Sequence, residues 1–209
     1  MNGTKIKFCG LSRKEDMEAV NQLHPDYIGF VFAGKSKRYV TPEQAVELGK
    51  LLHPGIRVVG VFVDEPPEAV AELLQIGVID LAQLHGSEDE IYITKLRKLT
   101  DKPVIQAFRV QKKEDLEAAE RSSADYILLD SGAGCGRTFD WNLLEQIERP
   151  YFLAGGLDPS NVGEAVRMLH PYAVDVSSGV EMDGKKDKGK MEAFFRSVCM
   201  ADEDRHLCE

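Results

Sequence analysis

Eight short apolar runs recur along this chain, and they constrain its fold more than any other feature. Each run is four to six residues long, rich in Val, Ile, Phe and Tyr, and without strict polar alternation. Parallel strands that are covered on both faces have this pattern. The runs cover residues 6–9, 27–32, 58–63, 81–84, 104–108, 126–129, 151–154 and 173–176.

Amphipathic segments with helical spacing separate these runs. They cover 14–22, 66–76, 88–99, 112–120, 141–146, 161–169 and 188–200, and one more begins at Thr41-Pro42-Glu43-Gln44, which has the form of a capping box. Eight strand–helix alternations predict an α/β fold, a compact (β/α)8 TIM barrel. The absence of GxGxxG after the first strand weakens the alternative of a doubly wound open sheet. We expect one domain over 1–209, with a short polar C-terminal tail from about residue 200.

Charge and composition exclude several classes of protein. A formal net charge of -9 argues against nucleic-acid binding, which depends on clustered Lys and Arg. Neither a signal peptide nor a run of 18 apolar residues is present, so we expect a cytoplasmic protein without membrane partners. The four cysteines form no CxxC pair, which makes a disulfide scaffold or a zinc ribbon improbable.

In a barrel, the loops after the strands converge over one mouth, where the chemistry takes place. Two glycine-bearing turns, AGGL at 154–157 and SSGVE at 177–181, follow the last two strands. Glycine lets backbone N–H groups approach phosphate oxygens closely, and TIM barrels often bind phosphate at this position. The glycines could instead only form tight loops, but the two turns together favour a phosphate site.

Four further side chains follow strand ends. Cys9 could be an ordinary buried thiol, but a nearby cation or helix terminus would make it a competent base. Asp130 could cap a loop or, if partly desolvated, donate a proton. Arg38 could lie in a solvated basic loop or bind a carboxylate with its planar fork. His85 could orient a loop or contact the substrate. No second histidine or carboxylate stands near it at the spacing of metal ligands, so a metal site is not expected.

Ten motifs in order resemble those of the phosphoribosylanthranilate isomerase family of tryptophan biosynthesis. They are KFCGLSR, GFVF, SKRYV, VGVFVD, QLHGSE, LLD, GRTFDW, LAGGL, DVSSGVE and GKKDKGK, and they span Lys5 to about Lys190. The resemblance implies a barrel enzyme without metal or organic cofactor. Its implied reaction is an aldose–ketose isomerisation, the Amadori rearrangement of N-(5-phosphoribosyl)anthranilate to 1-(2-carboxyphenylamino)-1-deoxy-D-ribulose 5-phosphate.

The same resemblance implies roles for individual residues. Cys9 is the general base and Asp130 the general acid, while Arg38 holds the anthranilate carboxylate. Gly156, Ser178 and Gly179 help to hold the phosphate, and Gly155 and His85 are added as further ligand contacts. The expected partner is the small-molecule substrate alone, and we expect a monomer or a weak homodimer.

Two departures and two alternatives accompany this resemblance. In GAGCGRTFDW, Ala133 and Cys135 occupy positions where the family tends to have GGTG or GGSG, and KFCG replaces the commoner KICG. The enzyme alternative is a histidine-pathway phosphoribosyl isomerase, which has an aspartate in place of Cys9 and needs a second phosphate site. The other alternative is a non-catalytic barrel that serves as a binding module.

Overall fold

Eight parallel strands close into a barrel in sequence order, β1 to β8, with β8 paired to β1. A computed structural model describes residues 3–130, 141, 144 and 147–208. The barrel strands are β1 Lys5–Cys9, β2 Tyr27–Val31, β3 Arg57–Phe62, β4 Leu81–Leu84, β5 Val104–Arg109, β6 Tyr126–Asp130, β7 Tyr151–Ala154 and β8 Ala173–Val176. All eight predicted strands are confirmed, with ends that differ by one residue at most.

Seven helices lie among the described residues. They are α1 Lys14–Leu23, α2 Pro42–Gly49, α3 Pro67–Gln75, α4 Glu90–Arg97, α5 Lys113–Glu120, α6 Val162–Leu169 and α7 Lys188–Cys208. The capping box at the start of α2 is confirmed, since the Gln44 backbone N–H donates to the Thr41 hydroxyl at 3.2 Å and the Thr41 N–H donates to Gln44 at 2.9 Å. The helix predicted over 141–146 lies largely outside the described residues.

The predicted polar tail from about residue 200 is helical up to Cys208 and extends helix α7. Asp202 connects this extension to the start of β1, because its carboxylate accepts hydrogen bonds from the backbone N–H and the hydroxyl of Thr4, at 2.7 and 2.9 Å. Ala201 is buried beside them. Because the segment is mostly polar, its sequence pattern does not predict the contacts between Asp202 and Thr4.

A short hairpin follows β8. A 3-10 turn at Ser178–Val180 leads into β9 Glu181–Met182, which pairs antiparallel with β10 Lys185–Lys186. The hairpin precedes α7 and brings two charged side chains, Glu181 and Lys186, towards the mouth of the barrel.

The strands separate two hydrophobic cores. Alternate residues point outward and pack beneath the helices, and the others fill the barrel interior, as the period of two in a strand requires. The interior is filled by Tyr27, Val59, Leu81, Ile105, Leu128 and Phe152. Nearer the carboxyl ends of the strands, Cys9 packs with Val31 and Val61. Cys9 therefore lies where the packed interior ends and the mouth begins.

No helix within the described ranges 3–130 and 147–208 is long and apolar enough to cross a membrane.

Candidate active site

A cavity of about 380 Å³ opens at the carboxyl ends of the barrel strands. Seven of the eight predicted site residues line it: Cys9, Arg38, His85, Asp130, Gly155, Gly156 and Ser178. These residues come from six different strand ends or the loops that follow them, so only the closed barrel brings them together. The eighth, Gly179, lies beside the cavity and is treated below.

Two glycines make room for Cys9 and Arg38. A Cβ atom on Gly29 of β2 would lie 2.7 Å from the Cys9 Sγ, so a side chain there would displace the thiol. A Cβ atom on Gly10 would lie 2.3 Å from Cδ of Arg38, and Gly10 has a φ of 75°. The glycines of KFCG and GFVF therefore shape the site through close approach.

A buried ion pair lies next to Cys9 inside the barrel. Lys7 Nζ is 3.0 Å from Asp175 Oδ1, and neither side chain has more than 8% of its surface exposed. Burial raises the pKa of the Cys9 thiol, and the Lys7 ammonium only partly opposes this effect. The sequence indicates that Cys9 needs a nearby cation or helix terminus to act as a base, but it identifies neither Lys7 nor the effect of burial on the pKa of the thiol.

The Arg38 guanidinium is held by Glu181. Its Nε and Nη2 donate to the two carboxylate oxygens of Glu181 at 2.6 and 2.9 Å, a bidentate pair. Lys186 Nζ also donates to Glu181, at 2.7 Å, and to the Ser177 carbonyl, at 2.9 Å. Burial opposes the charge of Glu181, but the hydrogen bonds from Arg38 and Lys186 lower its pKa to about 2.

This arrangement refines the prediction for Arg38. One edge of its fork is occupied by Glu181, and Nη1 has no hydrogen-bond partner among the described residues. Glu181 was missed because SSGVE was interpreted as a phosphate turn. The signal that could have found it is the acidic residue at the end of that motif, followed closely by the lysines of GKKDKGK.

His85 lies between Gln83 and Asp130. Its Nε2 is 3.4 Å from Asp130 Oδ2, and its Nδ1 is 2.9 Å from Gln83 Nε2. With the amide in this orientation, Nδ1 accepts the hydrogen bond and a neutral imidazole carries its proton on Nε2, facing Asp130. Gln83 Oε1 is buried and has no hydrogen-bond partner among the described residues. Gln83 lines the cavity and was also missed from the sequence.

The two glycine-bearing turns lie side by side at the mouth. Gly155 and Gly156 have φ angles of 91° and 67°, which L side chains rarely adopt. A Cβ atom on Gly179 would lie 1.9 Å from the carbonyl oxygen of Leu157. Gly179 thus allows the SSGVE turn to pack against the AGGL turn, while Ser178 beside it lines the cavity.

We expect Gly179→Ala to lower the thermal unfolding midpoint, because the added methyl group would overlap the Leu157 carbonyl oxygen and the backbone must move. Overpacking of this kind costs about 1 to 3 kcal/mol. Each kcal/mol corresponds to about 2 to 4 °C in a chain of this size. Gly34→Ala is the matched control, since a Cβ atom there meets nothing within 4 Å. Equal midpoints for the two variants in a calorimetric scan would show that the close approach is unimportant.

The loop after β6 contains two residues that depart from the family pattern. Ala133, Gly134 and Cys135, together with the rest of 131–140, lie outside the described residues. Ala133 and Cys135 therefore stay departures from the family pattern that are known from the sequence alone.

Comparison with known proteins identifies the family. The model of the family "N-(5'phosphoribosyl)anthranilate (PRA) isomerase" matches residues 6–197. The chain is 46% identical over 201 residues to N-(5'-phosphoribosyl)anthranilate isomerase of Thermoanaerobacter sp. (strain X514), covering 93% of this chain and 97% of that relative. It is 47% identical over 192 residues to the protein of the same name from Endomicrobium trichonymphae, covering 90% and 94%.

Solved structures agree. The crystal structure of phosphoribosyl anthranilate isomerase from Thermotoga maritima has a TM-score of 0.87 and 37% identity, covering 94% of this chain and 99% of that one. A crystal structure of a phosphoribosyl anthranilate isomerase in complex with reduced 1-(o-carboxyphenylamino)-1-deoxyribulose 5-phosphate has a TM-score of 0.84 with the same identity and coverage. The matches confirm the resemblance and favour it over both the histidine-pathway isomerase and the non-catalytic barrel. This chain belongs to the family of N-(5'-phosphoribosyl)anthranilate isomerases.

Proposed function

We propose that the chain converts N-(5'-phosphoribosyl)anthranilate into 1-(2-carboxyphenylamino)-1-deoxy-D-ribulose 5-phosphate in tryptophan biosynthesis, with Cys9 as general base and Asp130 as general acid. The observation that carries the assignment is that both side chains line one cavity at the barrel mouth, together with the two glycine-bearing turns and Arg38. A relative with the same fold is solved in complex with a reduced form of this product.

The reaction begins with two proton transfers, and two more convert the intermediate into the ketone. Asp130 protonates the furanose ring oxygen, the bond between that oxygen and C1 breaks, and the anthranilate nitrogen shares its electron pair with C1 to form a Schiff base. The Cys9 thiolate then removes the proton from C2, and the C–H electron pair neutralises the iminium nitrogen through the new C1–C2 double bond. The resulting enolamine takes a proton at C1 and loses one from the C2 hydroxyl to give the ketone, and exchange with solvent removes the proton from Cys9 and returns one to Asp130. No atom is gained or lost.

His85 supports the acid step by position. Its Nε2 faces Asp130 across 3.4 Å while Gln83 holds the opposite ring nitrogen. A histidine that is fixed in this way orients the carboxyl group towards the cavity, which favours transfer along a defined direction. We therefore propose that His85 positions Asp130, and its place in the cavity lining is compatible with the predicted contact with the substrate.

The two anionic ends of the substrate have separate partners in this proposal. Gly155, Gly156 and Ser178 line the cavity where the two turns meet and would receive the phosphate, with Gly179 allowing the turns to approach. Arg38 would receive the anthranilate carboxylate through Nη1, while Glu181 keeps the guanidinium plane in place. Arg109 adds a further positive charge to the cavity lining.

We expect Arg38→Met to raise KM for the substrate by at least tenfold, because a charged hydrogen bond to a carboxylate contributes about 1.5 to 3 kcal/mol. The inhibition constant of inorganic phosphate should change much less, since phosphate has no carboxylate to lose. Lys37→Met is the matched control, as this exposed lysine precedes Arg38 in the same loop. Equal weakening of substrate and phosphate by Arg38→Met would contradict the carboxylate role.

The proposal also covers the location of the chain in the cell, its oligomeric state and its cofactor requirement. A biosynthetic enzyme that acts on a phosphorylated metabolite needs no membrane, so we propose a cytoplasmic location. Monomer or weak homodimer is the proposed assembly, and the small-molecule substrate is the proposed partner. We propose that proton transfer by side chains suffices, without a metal or an organic cofactor.

The activity is tested with the purified chain and freshly made phosphoribosylanthranilate. We expect the fluorescence of the substrate to disappear in proportion to the concentration of the chain. Persistence of the fluorescence at every chain concentration, with the folded state confirmed by circular dichroism, would contradict the proposed function.

A further inference from the structure

A fully buried lysine lies directly below the proposed base. Lys7 and Asp175 are register partners on β1 and β8, and their side chains form the ion pair inside the barrel. Cys9 follows Lys7 by two positions on β1, so both side chains point to the same side of the strand. The ammonium, the carboxylate and the thiol therefore form one group at the floor of the cavity, which Cys9 and Asp175 line.

Stability alone is a weak reason for this ion pair. Removing two charges from water costs several kcal/mol for each ion, and replacing such pairs with apolar residues of similar size is often neutral or stabilising. The interior below is apolar and aromatic, with Tyr27, Val59 and Phe152 fully buried. A Lys–Asp pair between this core and the cavity suggests a role in the chemistry above it.

We propose that Lys7, held by Asp175, is a positioning residue whose fixed positive charge stabilises the Cys9 thiolate during proton abstraction. The inference rests on the proposed role of Cys9 as general base. Asp175 has a double effect in this arrangement, because it keeps Lys7 charged and in place while its own negative charge opposes the thiolate.

The charged groups around Cys9 support this assignment. Lys7 and Lys186 both favour the thiolate, Asp175 disfavours it, and Arg38 lies within range from the loop after β2. Burial raises the pKa of Cys9, and the two lysines lower it again in part. The thiol form is therefore favoured in the free protein, and the cations limit the free energy needed to reach the thiolate.

Lys7 is better suited to this role than Lys186. Lys186 Nζ already donates to Glu181 at 2.7 Å and to the carbonyl and the hydroxyl of Ser177 at 2.9 and 3.2 Å. Burial lowers the pKa of Lys186, whereas Asp175 and Cys9 outweigh the effect of burial on Lys7 and raise its pKa. Lys7 thus stays protonated throughout the pH range in which the enzyme would work.

The test measures the thiolate without substrate, in a chain whose other three cysteines, Cys135, Cys199 and Cys208, are replaced by Ser. The measured quantity is the second-order rate constant for alkylation of Cys9 by iodoacetamide at pH 8, which follows the thiolate fraction. We expect Lys7→Met to lower this rate at least tenfold, since a nearby opposite charge shifts a pKa by about 1 to 3 units. Asp175→Asn should raise the rate, because the amide oxygen can still accept a hydrogen bond from Lys7 Nζ while the negative charge that opposes the thiolate is lost. Lys5→Met is the control, because Lys5 lies on the same strand as Lys7 but pairs with a different carboxylate, that of Asp26, at 2.8 Å.

Opposite shifts are the signature of the charge effect, because a merely structural role would change access to Cys9 in the same direction in both variants. An unchanged rate in Lys7→Met, or equal shifts in both variants, would overturn the proposal. If Lys7→Met does not fold, the double variant Lys7→Met/Asp175→Asn, which buries neither charge, replaces it. The double variant should then react more slowly than Asp175→Asn, and an equal rate would overturn the proposal. Opposite shifts together with full isomerase activity of Cys9→Ser would disprove the base role while leaving the charge effect intact.

Discussion

Cys9→Ser should lose about 10² to 10⁴ in kcat, the contribution typical of a positioned general base. Serine keeps the size and the polar character of cysteine, but its hydroxyl is far too weak an acid to supply the anion that removes the C2 proton. The side chain lies at the rim of the interior core, so the fold should be retained. The measurement is the rate of loss of substrate fluorescence at saturating substrate.

The control for this substitution is Cys199→Ser, an exchange of the same chemistry on the exposed surface of α7. This variant should keep full activity. Comparable losses in Cys9→Ser and Cys199→Ser would point to instability of the chain rather than to a missing base. Full activity of Cys9→Ser with an intact far-UV spectrum would exclude Cys9 as the base.

Asp130→Asn should lose a similar factor of about 10² to 10⁴ in kcat, because an amide keeps the shape of the carboxyl group but has no acidic proton to transfer. KM should change little, since the phosphate and the anthranilate carboxylate have other partners in the proposal. The measurement is the same fluorescence assay over a range of substrate concentrations.

His85→Gln should lose less activity than Asp130→Asn in the same assay, because His85 acts through Asp130.

Asp64→Asn is the matched control for the acid. Asp64 follows β3 at the same end of the barrel, but its carboxylate accepts from the backbone N–H and the hydroxyl of Ser87, both at 2.7 Å, and does not line the cavity. Its substitution should leave kcat unchanged. If kcat fell as far in Asp64→Asn as in Asp130→Asn, the loss in Asp130→Asn could be explained by the removal of any charge at the strand ends, and it would not support an acid role for Asp130.

The sequence predicts the barrel and most of its mouth for a simple physical reason. Parallel strands covered on both faces need continuous apolar runs, and each run ends where the chain leaves the core. Residues such as Cys9 and Asp130 stand directly at these ends. Eight strands in sequence order then place all the ends in one mouth, so local pattern and topology together predict which residues meet.

The partners of these residues could not be predicted in the same way. The Lys7–Asp175 and Arg38–Glu181 pairs join positions far apart in sequence, and their geometry depends on the register of β1 with β8 and on the hairpin after β8. The sequence around Lys7, which lies within an apolar run, does not indicate that Asp175 will be its partner. Burial around Cys9 is likewise a property of the assembled cavity, so the direction of its pKa shift needed the structure.

The most direct test of the Cys9–Asp130 pair compares kcat for the wild type, Cys9→Ser, Asp130→Asn and the double variant in one fluorescence assay. The two groups catalyse successive steps, ring opening and C2 proton removal, so the slower step alone should limit each variant. We therefore expect both single variants to lose about 10² or more and the double variant to match the slower single variant within a few fold. Wild-type activity in either single variant would contradict the pair, and losses that multiply in the double variant would contradict its division between two steps.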